Sequence, residues 1–107
     1  MRDTRCALVN ERNNIFVFCR QKFPIEDYDI TPHAVIGALS KARAKSIEGG
    51  TAYVNVFPCA ECAKALAAAG IRKVVYEKDN DHESPILAMQ IFTHFGIDAI
   101  KNEELDF

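Results

Sequence analysis

Two cysteines at the start of a predicted helix, with a histidine upstream, constrain this chain more than any other feature. Cys59 and Cys62 stand three positions apart directly after Pro58, and His33 opens an earlier predicted helix. Side chains at positions i and i+3 of a helix lie on one side, so both sulfurs can reach one ion. The partial positive charge at a helix N-terminus favours the thiolate form, which binds metal. One imidazole and two thiolates therefore predict a three-ligand zinc site whose fourth position is open.

The cysteines also allow two other interpretations. Cys59 and Cys62 could be a redox pair or two buried thiols, although the adjoining proline and the upstream histidine favour metal. Cys6 and Cys19 lie in predicted strands, where a small buried apolar role is usual. If Cys19 reached the same ion, the site would close with three sulfurs and one imidazole and would be structural.

The composition is that of an ordinary globular domain. The 107 residues are 49% hydrophobic and 26% charged, which predicts a single domain over residues 1–107 with one core. A formal net charge of −2 gives no basic field for a long nucleic acid, so such a partner is not expected. No apolar run approaches the roughly 20 residues of a membrane helix. Because the N-terminus is also too polar for a signal peptide, we expect a cytoplasmic protein.

The hydrophobic pattern predicts eight elements in the order β-β-α-β-α-β-α-β. Two β-rich runs at residues 5–9 and 15–19 flank a turn-like cluster and predict a hairpin, followed by a polar loop at residues 21–30. Thr31 and Pro32 suit the start of the first helix. The predicted helices cover residues 33–46, 59–69 and 85–95, and the later strands cover residues 52–57, 73–76 and 98–100. This order predicts an α/β fold with helices packed on a mixed sheet.

A long segment around the paired cysteines follows the pattern of a known family. It contains Tyr53-Val54-Asn55-Val56-Phe57-Pro58-Cys59-Ala60-Glu61-Cys62-Ala63-Lys64-Ala65 and then Ala69-Gly70-Ile71-Arg72-Lys73-Val74-Val75-Tyr76. With His33 at the fitting distance upstream, it resembles the deoxycytidylate (dCMP) deaminase family of the cytidine deaminase superfamily. The resemblance implies a cytidine deaminase-like αβα sandwich that hydrolyses dCMP to dUMP and ammonia. It also implies one Zn²⁺ held by His33, Cys59 and Cys62, and an oligomeric protein.

The chain departs from that family at three positions that serve the substrate. Val35 stands where the family has its general acid/base glutamate, and Gly37 stands where it usually has an asparagine that contacts the nucleotide. The family's Gly-Tyr-Asn-Gly-x-Pro loop is replaced by residues 19–24, which makes Arg20 and Lys22 candidate substrate-side residues. In losing the glutamate, the chain resembles the non-catalytic subunit of eukaryotic tRNA adenosine deaminases, which keeps zinc and supports an active partner.

The missing glutamate leaves two functional hypotheses, and whether the chain is an enzyme stays open at this point. Deamination needs a carboxylate that carries a proton from water to the ring and the leaving amine, and valine cannot do this. The first hypothesis is a catalytically silent zinc protein with an assembly, regulatory or pyrimidine nucleotide-binding role, paired with itself or with an active deaminase-family subunit. The alternative is an active deaminase of dCMP or a related cytosine nucleotide with a relocated general base. The candidate carboxylates for that base are Glu26, Asp27, Asp29 and Glu61.

Overall fold

In the part of the chain that the structure describes, five strands and three helices follow one another in the predicted order. The computed structural model describes residues 2–10, 12, 16–23, 34–42, 47–80 and 84–105. Within these ranges the elements are β1 (Arg2–Val9), β2 (Phe16–Phe23), α1 (Ala34–Lys41), β3 (Thr51–Val56), α2 (Ala60–Ala68), β4 (Lys73–Lys78), α3 (Ile86–Phe95) and β5 (Asp98–Lys101). The predicted α/β class and element order are confirmed. In the described part of the chain, no helix has the length and apolar character needed to cross a membrane.

The strands form a single mixed sheet in the order β2-β1-β3-β4-β5. Strand β1 is antiparallel to both β2 and β3, so Cys6 lies opposite Cys19 on one side and Val54 on the other. Strands β3, β4 and β5 are parallel to one another. Helix α2 connects β3 to β4, and α3 connects β4 to β5. Because both crossovers are right-handed and proceed in the same direction across the sheet, both helices lie on the same face.

The core lies between this face of the sheet and the three helices. Alternate strand residues point into it, as the two-residue period of a strand requires. The strands contribute Cys6, Leu8, Cys19, Ala52, Val54 and Val74, and the helices contribute Ala34, Val35, Ala38, Cys62, Ala63, Leu66, Ala88 and Phe92. The described helices thus form one helical layer of the fold, and α1 and α2 belong to the same core.

The boundaries that differ most from the sequence prediction are the start of β1, which lies at Arg2 and not at residue 5, the end of β2 and the end of α1. Strand β2 extends to Phe23, because Arg2 to Arg5 of β1 pair with its polar second half through backbone groups that hydrophobic patterning does not register. Arg20 and Lys22 therefore lie in a strand and not in a loop. Helix α1 ends at Lys41 and Ala42 forms a bend, whereas the prediction continued to residue 46. Residues 24–33 and 43–46 lie outside the described residues.

Candidate metal centre

Two hydrogen bonds and two ring contacts hold the segment that leads into α2. The Phe57 N–H donates to the Lys78 carbonyl, and the Asn80 side-chain amide donates to the Phe57 carbonyl at 3.3 Å. The Phe57 ring is buried, with its centroid 4.8 Å from that of Tyr76 and 5.8 Å from that of Phe92. Sequence patterns do not indicate that Asn80 supports this segment, because its hydrogen-bond partner is a backbone group 23 positions away. These contacts fix where the cysteine helix begins.

Cys59 is the N-cap residue of α2. Its backbone is extended (φ −71°, ψ 171°), and its Sγ accepts a hydrogen bond from the Cys62 N–H at 3.5 Å. The Ala63 N–H donates to the Cys59 carbonyl at 2.9 Å, which closes the first turn of the helix. The sulfur of Cys59 thus lies over the end of α2 whose N–H groups favour negative charge, as the spacing predicted.

The two sulfurs of the motif lie together. A hydrogen bond between the thiols of Cys59 and Cys62, followed by burial, raises the pKa of Cys62 well above its ordinary value. Cys62 thus holds its proton firmly in the absence of a cation. A thiophilic divalent cation would replace that proton, since metals bind the thiolate form. Two sulfurs in contact at a helix N-terminus are therefore a donor set that fits zinc.

Cys6 and Cys19 form a second thiol pair across β1 and β2. Cys6 is fully buried and burial raises its pKa to about 12, so it behaves as a small apolar side chain. Among the residues that the structure describes, no three His, Cys, Asp or Glu side chains are grouped so that they could hold an ion. This gives no support to Cys19 as a further ligand of Cys59 and Cys62. His33 lies outside the described residues, so its role as third ligand stays a prediction.

Val35 lies in the first turn of α1, with only 5% of its surface exposed. It belongs to the same buried cluster as Cys62 and Leu66, together with its neighbour Ala34. The position is therefore filled by a packed isopropyl group and carries no proton-transferring atom. Gly37 is half-buried on the same helix, and its place on the substrate side stays a prediction.

Of the other candidate polar residues, the structure describes the side chains of Arg20 and Glu61, and both are exposed. Arg20 is exposed and follows Cys19 in β2, so it projects from the sheet face opposite the one that Cys19 shares with the helices. Lys22 lies two residues further along the strand. Glu61 is exposed in the first turn of α2. The remaining candidate carboxylates, Glu26, Asp27 and Asp29, lie outside the described residues.

The mixed sheet and the paired sulfurs at a helix N-terminus define a metal-binding α/β domain. Residues 4–78 match the family described as the cytidine and deoxycytidylate deaminase zinc-binding region. The chain belongs to this family, and its cofactor is Zn²⁺. The predicted family and the predicted cofactor are thereby confirmed.

Curated relatives share the zinc-binding part of the chain. Deoxycytidylate deaminase from Homo sapiens is 37% identical over 57 residues, which are 53% of this chain and 32% of that protein. The enzyme of the same name from Enterobacteria phage T4 is 46% identical over 55 residues, 50% of this chain and 28% of that protein. A probable cytosine deaminase from Schizosaccharomyces pombe is 31% identical over 80 residues, 72% of this chain and 48% of that protein. The chain thus matches less than half the length of each of these relatives.

Solved structures share the fold. The dCMP deaminase from cyanophage S-TIM5 in its apo form superposes with a TM-score of 0.64 at 23% identity, covering 95% of this chain and 81% of that one. RibD from Acinetobacter baumannii gives a TM-score of 0.73 at 27% identity, covering 92% of this chain and 28% of that one. These similarities confirm the predicted cytidine deaminase-like fold.

Proposed function

We propose that this protein is a catalytically silent, zinc-stabilised member of the deaminase family. In this proposal His33, Cys59 and Cys62 hold the ion, and the protein acts by assembly or by binding a pyrimidine nucleotide. It works in the cytoplasm, where its cysteines remain reduced. The single observation that carries the proposal is the burial of Val35 in one cluster with Cys62, at the position that the family resemblance aligns with the general acid/base glutamate.

The chemistry of Val35 explains the silence. General acid/base groups contribute about 10²–10⁴-fold to such reactions, and an isopropyl group can neither take nor deliver a proton. Val35 is also fixed in the core, so no small movement of α1 would replace it with another side chain. Glu61 follows Cys59 by two positions and precedes Cys62 by one, so its side chain projects about 100° away from that of Cys62 around α2. Its exposure agrees with this direction.

The retained cysteines fit a structural and ligand-binding role. When bound, zinc would supply a Lewis acid, and in the proposed ligand set it would link His33 to the cysteine pair at the start of α2. The cysteine pair is the part of the site that holds the start of α2, through the Cys62 N–H bond to the Cys59 sulfur. Metal binding therefore contributes to folding stability, because the ligands are not preformed in the unfolded chain.

A deamination assay tests the proposal directly. The zinc-loaded protein is mixed with dCMP, dCTP, cytidine or deoxycytidine, and ammonia release is followed. We expect no turnover above buffer. The Cys62→Ser variant is the matched control, since any turnover that depends on the site must disappear with it. Sustained release by the wild-type protein that is absent in this variant would show that the protein is an enzyme.

The second candidate function is an active deaminase of dCMP or a related cytosine nucleotide. The paired cysteines and the relatives named deoxycytidylate deaminase favour it. It requires a relocated carboxylate, so one alanine substitution must abolish an existing activity. The four variants are Glu26→Ala, Asp27→Ala, Asp29→Ala and Glu61→Ala. If activity exists and all four retain it, the base is not among these residues.

Metal replacement tests the ligand set separately from activity. Cobalt in place of zinc should give thiolate charge-transfer absorption of an intensity typical of two sulfurs. The His33→Ala and Cys62→Ser variants should change the spectrum, whereas Cys19→Ser should leave it unchanged. A third sulfur that disappears in Cys19→Ser would instead indicate the closed structural site. We also expect chelation to lower the Tm, and an unchanged Tm would contradict a stabilising metal.

A further inference from the structure

Cys6 and Cys19 form a pair of facing thiols outside the proposed set of zinc ligands. In the register of β1 and β2, Cys6 lies directly opposite Cys19. Both side chains belong to the buried core cluster, so they share the face of the sheet that the helices cover. All four cysteines of the chain are present as thiols. The sheet therefore holds a second dithiol, which we call the β1–β2 dithiol.

The backbone already sets this dithiol at the spacing of a disulfide. Residues directly opposite in an antiparallel pair have Cα atoms about 4.5–5.5 Å apart. Natural disulfides span Cα separations of about 4.4–6.8 Å, so an S–S bond here needs no change of register. The pairing extends over the whole of β1, from Arg2 to Val9, and so continues on both sides of the cysteines. The two cysteines thus stay opposed whether or not their sulfurs are bonded.

The two thiols differ in their access to solvent. Cys6 is fully buried on β1, which has a strand on either side. Cys19 is 5% exposed and lies on β2, the outermost of the described strands at that side of the sheet. The edge of a sheet opens locally more readily than its centre, because fewer contacts hold it. A small oxidant therefore reaches Cys19 first, and Cys6 is the neighbouring thiol that can then react with it.

Cys6 has one other thiol near it. Cys62 lies close enough to Cys6 for the two groups to interact electrostatically across the core. However, Cys62 lies on α2 and belongs to the proposed zinc ligands, and a sulfur that coordinates zinc is engaged with the metal. Cys19 lies outside that ligand set. With zinc bound, Cys19 is thus the partner that remains for Cys6.

We propose that the β1–β2 dithiol is a reversible oxidation site, which forms a cross-strand disulfide when the protein meets a hydroperoxide. The Cys19 sulfur attacks the O–O bond of the hydroperoxide, which gives a sulfenic acid and releases an alcohol, or water in the case of hydrogen peroxide. The Cys6 sulfur then attacks the oxidised sulfur, so that the S–S bond forms and the S–O bond breaks. The hydroxyl group leaves with the Cys6 proton as water.

This reaction is balanced and independent of the zinc chemistry. The two thiols together lose two electrons and two protons, and the hydroperoxide takes up both. A small dithiol such as dithiothreitol reverses the step by thiol–disulfide exchange. The site goes beyond the proposed function, because it depends neither on Val35 nor on the identity of the zinc ligands.

Peptide mapping of the zinc-loaded protein tests the site. The protein is treated with hydrogen peroxide, its remaining thiols are alkylated, and it is digested with trypsin. The positions of the arginines place Cys6 in peptide 6–12 and Cys19 in peptide 13–20. We expect these two peptides to appear as one disulfide-linked species, which dithiothreitol separates. Without peroxide, both peptides should appear singly, each alkylated at its cysteine.

Single substitutions assign the two roles. Cys6→Ser should leave Cys19 as a sulfenic acid that dimedone traps. Cys19→Ser should give about tenfold less adduct, at Cys6, because that thiol is fully buried. Cys62→Ser is the matched control, since it removes a thiol from the same core but leaves the dithiol intact, and it should still form the linked species. Circular dichroism verifies that the variants are folded.

The wild-type map alone can overturn the proposal. It does so if peptide 6–12 stays unlinked under a prolonged excess of peroxide. It also does so if peptide 6–12 is linked to peptide 46–64, which carries Cys59 and Cys62. A disulfide inside peptide 46–64 would argue against bound zinc and would leave the link between peptides 6–12 and 13–20 unaffected. The failure of this inference is therefore distinguishable from that of the proposed function.

Discussion

Phe92 connects the core to the segment before the paired cysteines. Its side chain is 2% exposed, and its ring meets the ring of Phe57 edge-on, at 5.8 Å and 75°. Phe57 directly precedes Pro58 and Cys59, so the support that Phe92 gives to this ring also positions the first sulfur. Replacing Phe92 by alanine should therefore affect both stability and metal binding.

The expected cost follows from burial. A Phe→Ala change in a packed core costs about 3–5 kcal/mol of unfolding free energy. The lost edge-on pairing with Phe57 accounts for about 0.5–1.5 kcal/mol of this. For a domain of this size, each kcal/mol lowers the Tm by about 4–8 °C, so Phe92→Ala should lower it by more than about 12 °C.

Urea unfolding at a few micromolar protein, with zinc in fixed excess, measures this change. Phe95→Ala is the matched control, because it removes the same side chain from the same helix at a position 60% exposed. It should cost no more than about 1 kcal/mol. A cobalt titration should show weaker binding in Phe92→Ala alone. Equal destabilisation by the two variants, or a loss of less than about 1 kcal/mol in Phe92→Ala, would refute this account of the core.

Three further predictions use other parts of the fold. Gly50→Ala should lower the free energy of unfolding by about 1–3 kcal/mol, because a Cβ there would overlap the Val9 carbonyl oxygen. An unchanged midpoint of urea unfolding would contradict this prediction. Because the pKa of Cys6 is raised, Cys6 should contribute fully to the free energy of unfolding below about pH 9, and this contribution should be lost as the pH rises towards 12. The Cys6→Ala variant should show a weaker dependence of unfolding free energy on pH over this range. Asp79→Asn breaks the exposed 3.2 Å ion pair with Lys101 and should leave the urea midpoint unchanged, because solvent screens an exposed ion pair; a clear shift of the midpoint would contradict this.

Local signals account for the parts of the fold that sequence patterns predicted. Gly70 and Gly96 end α2 and α3 with positive φ values of 81° and 68°, as glycine after a helical pattern indicates. Ser84 accepts from the Ile86 N–H at 3.3 Å, at the predicted start of α3. Each of these signals involves only a few neighbouring residues, so it can be recognised without knowledge of the remaining chain.

Hydrophobic patterns predict polar strand residues less well than apolar ones. The second half of β2 carries Arg20 and Lys22 and resembles a loop in composition, but it pairs with β1 through backbone groups that every residue has. Its strand character also turns Arg20 to the face opposite Cys19. The substrate-side role of Arg20 stays a prediction, now for a strand residue and not for a loop residue.

The residue types and their spacing already predict the zinc motif, the element order and a valine at the position that the resemblance assigns to the general acid/base, since each depends on neighbours within a turn or a strand. Folding alone decides that Cys6 lies between Cys19 and Val54, that Val35 and Cys62 belong to one buried cluster, and that Leu87 and Phe95 of α3 stay exposed. These outcomes arise from contacts between distant segments, such as the bond from the Arg5 N–H to the Asn55 side chain, 50 positions away. Chain periodicity defines which faces of an element are apolar, but only the packed arrangement defines which of those faces find a partner.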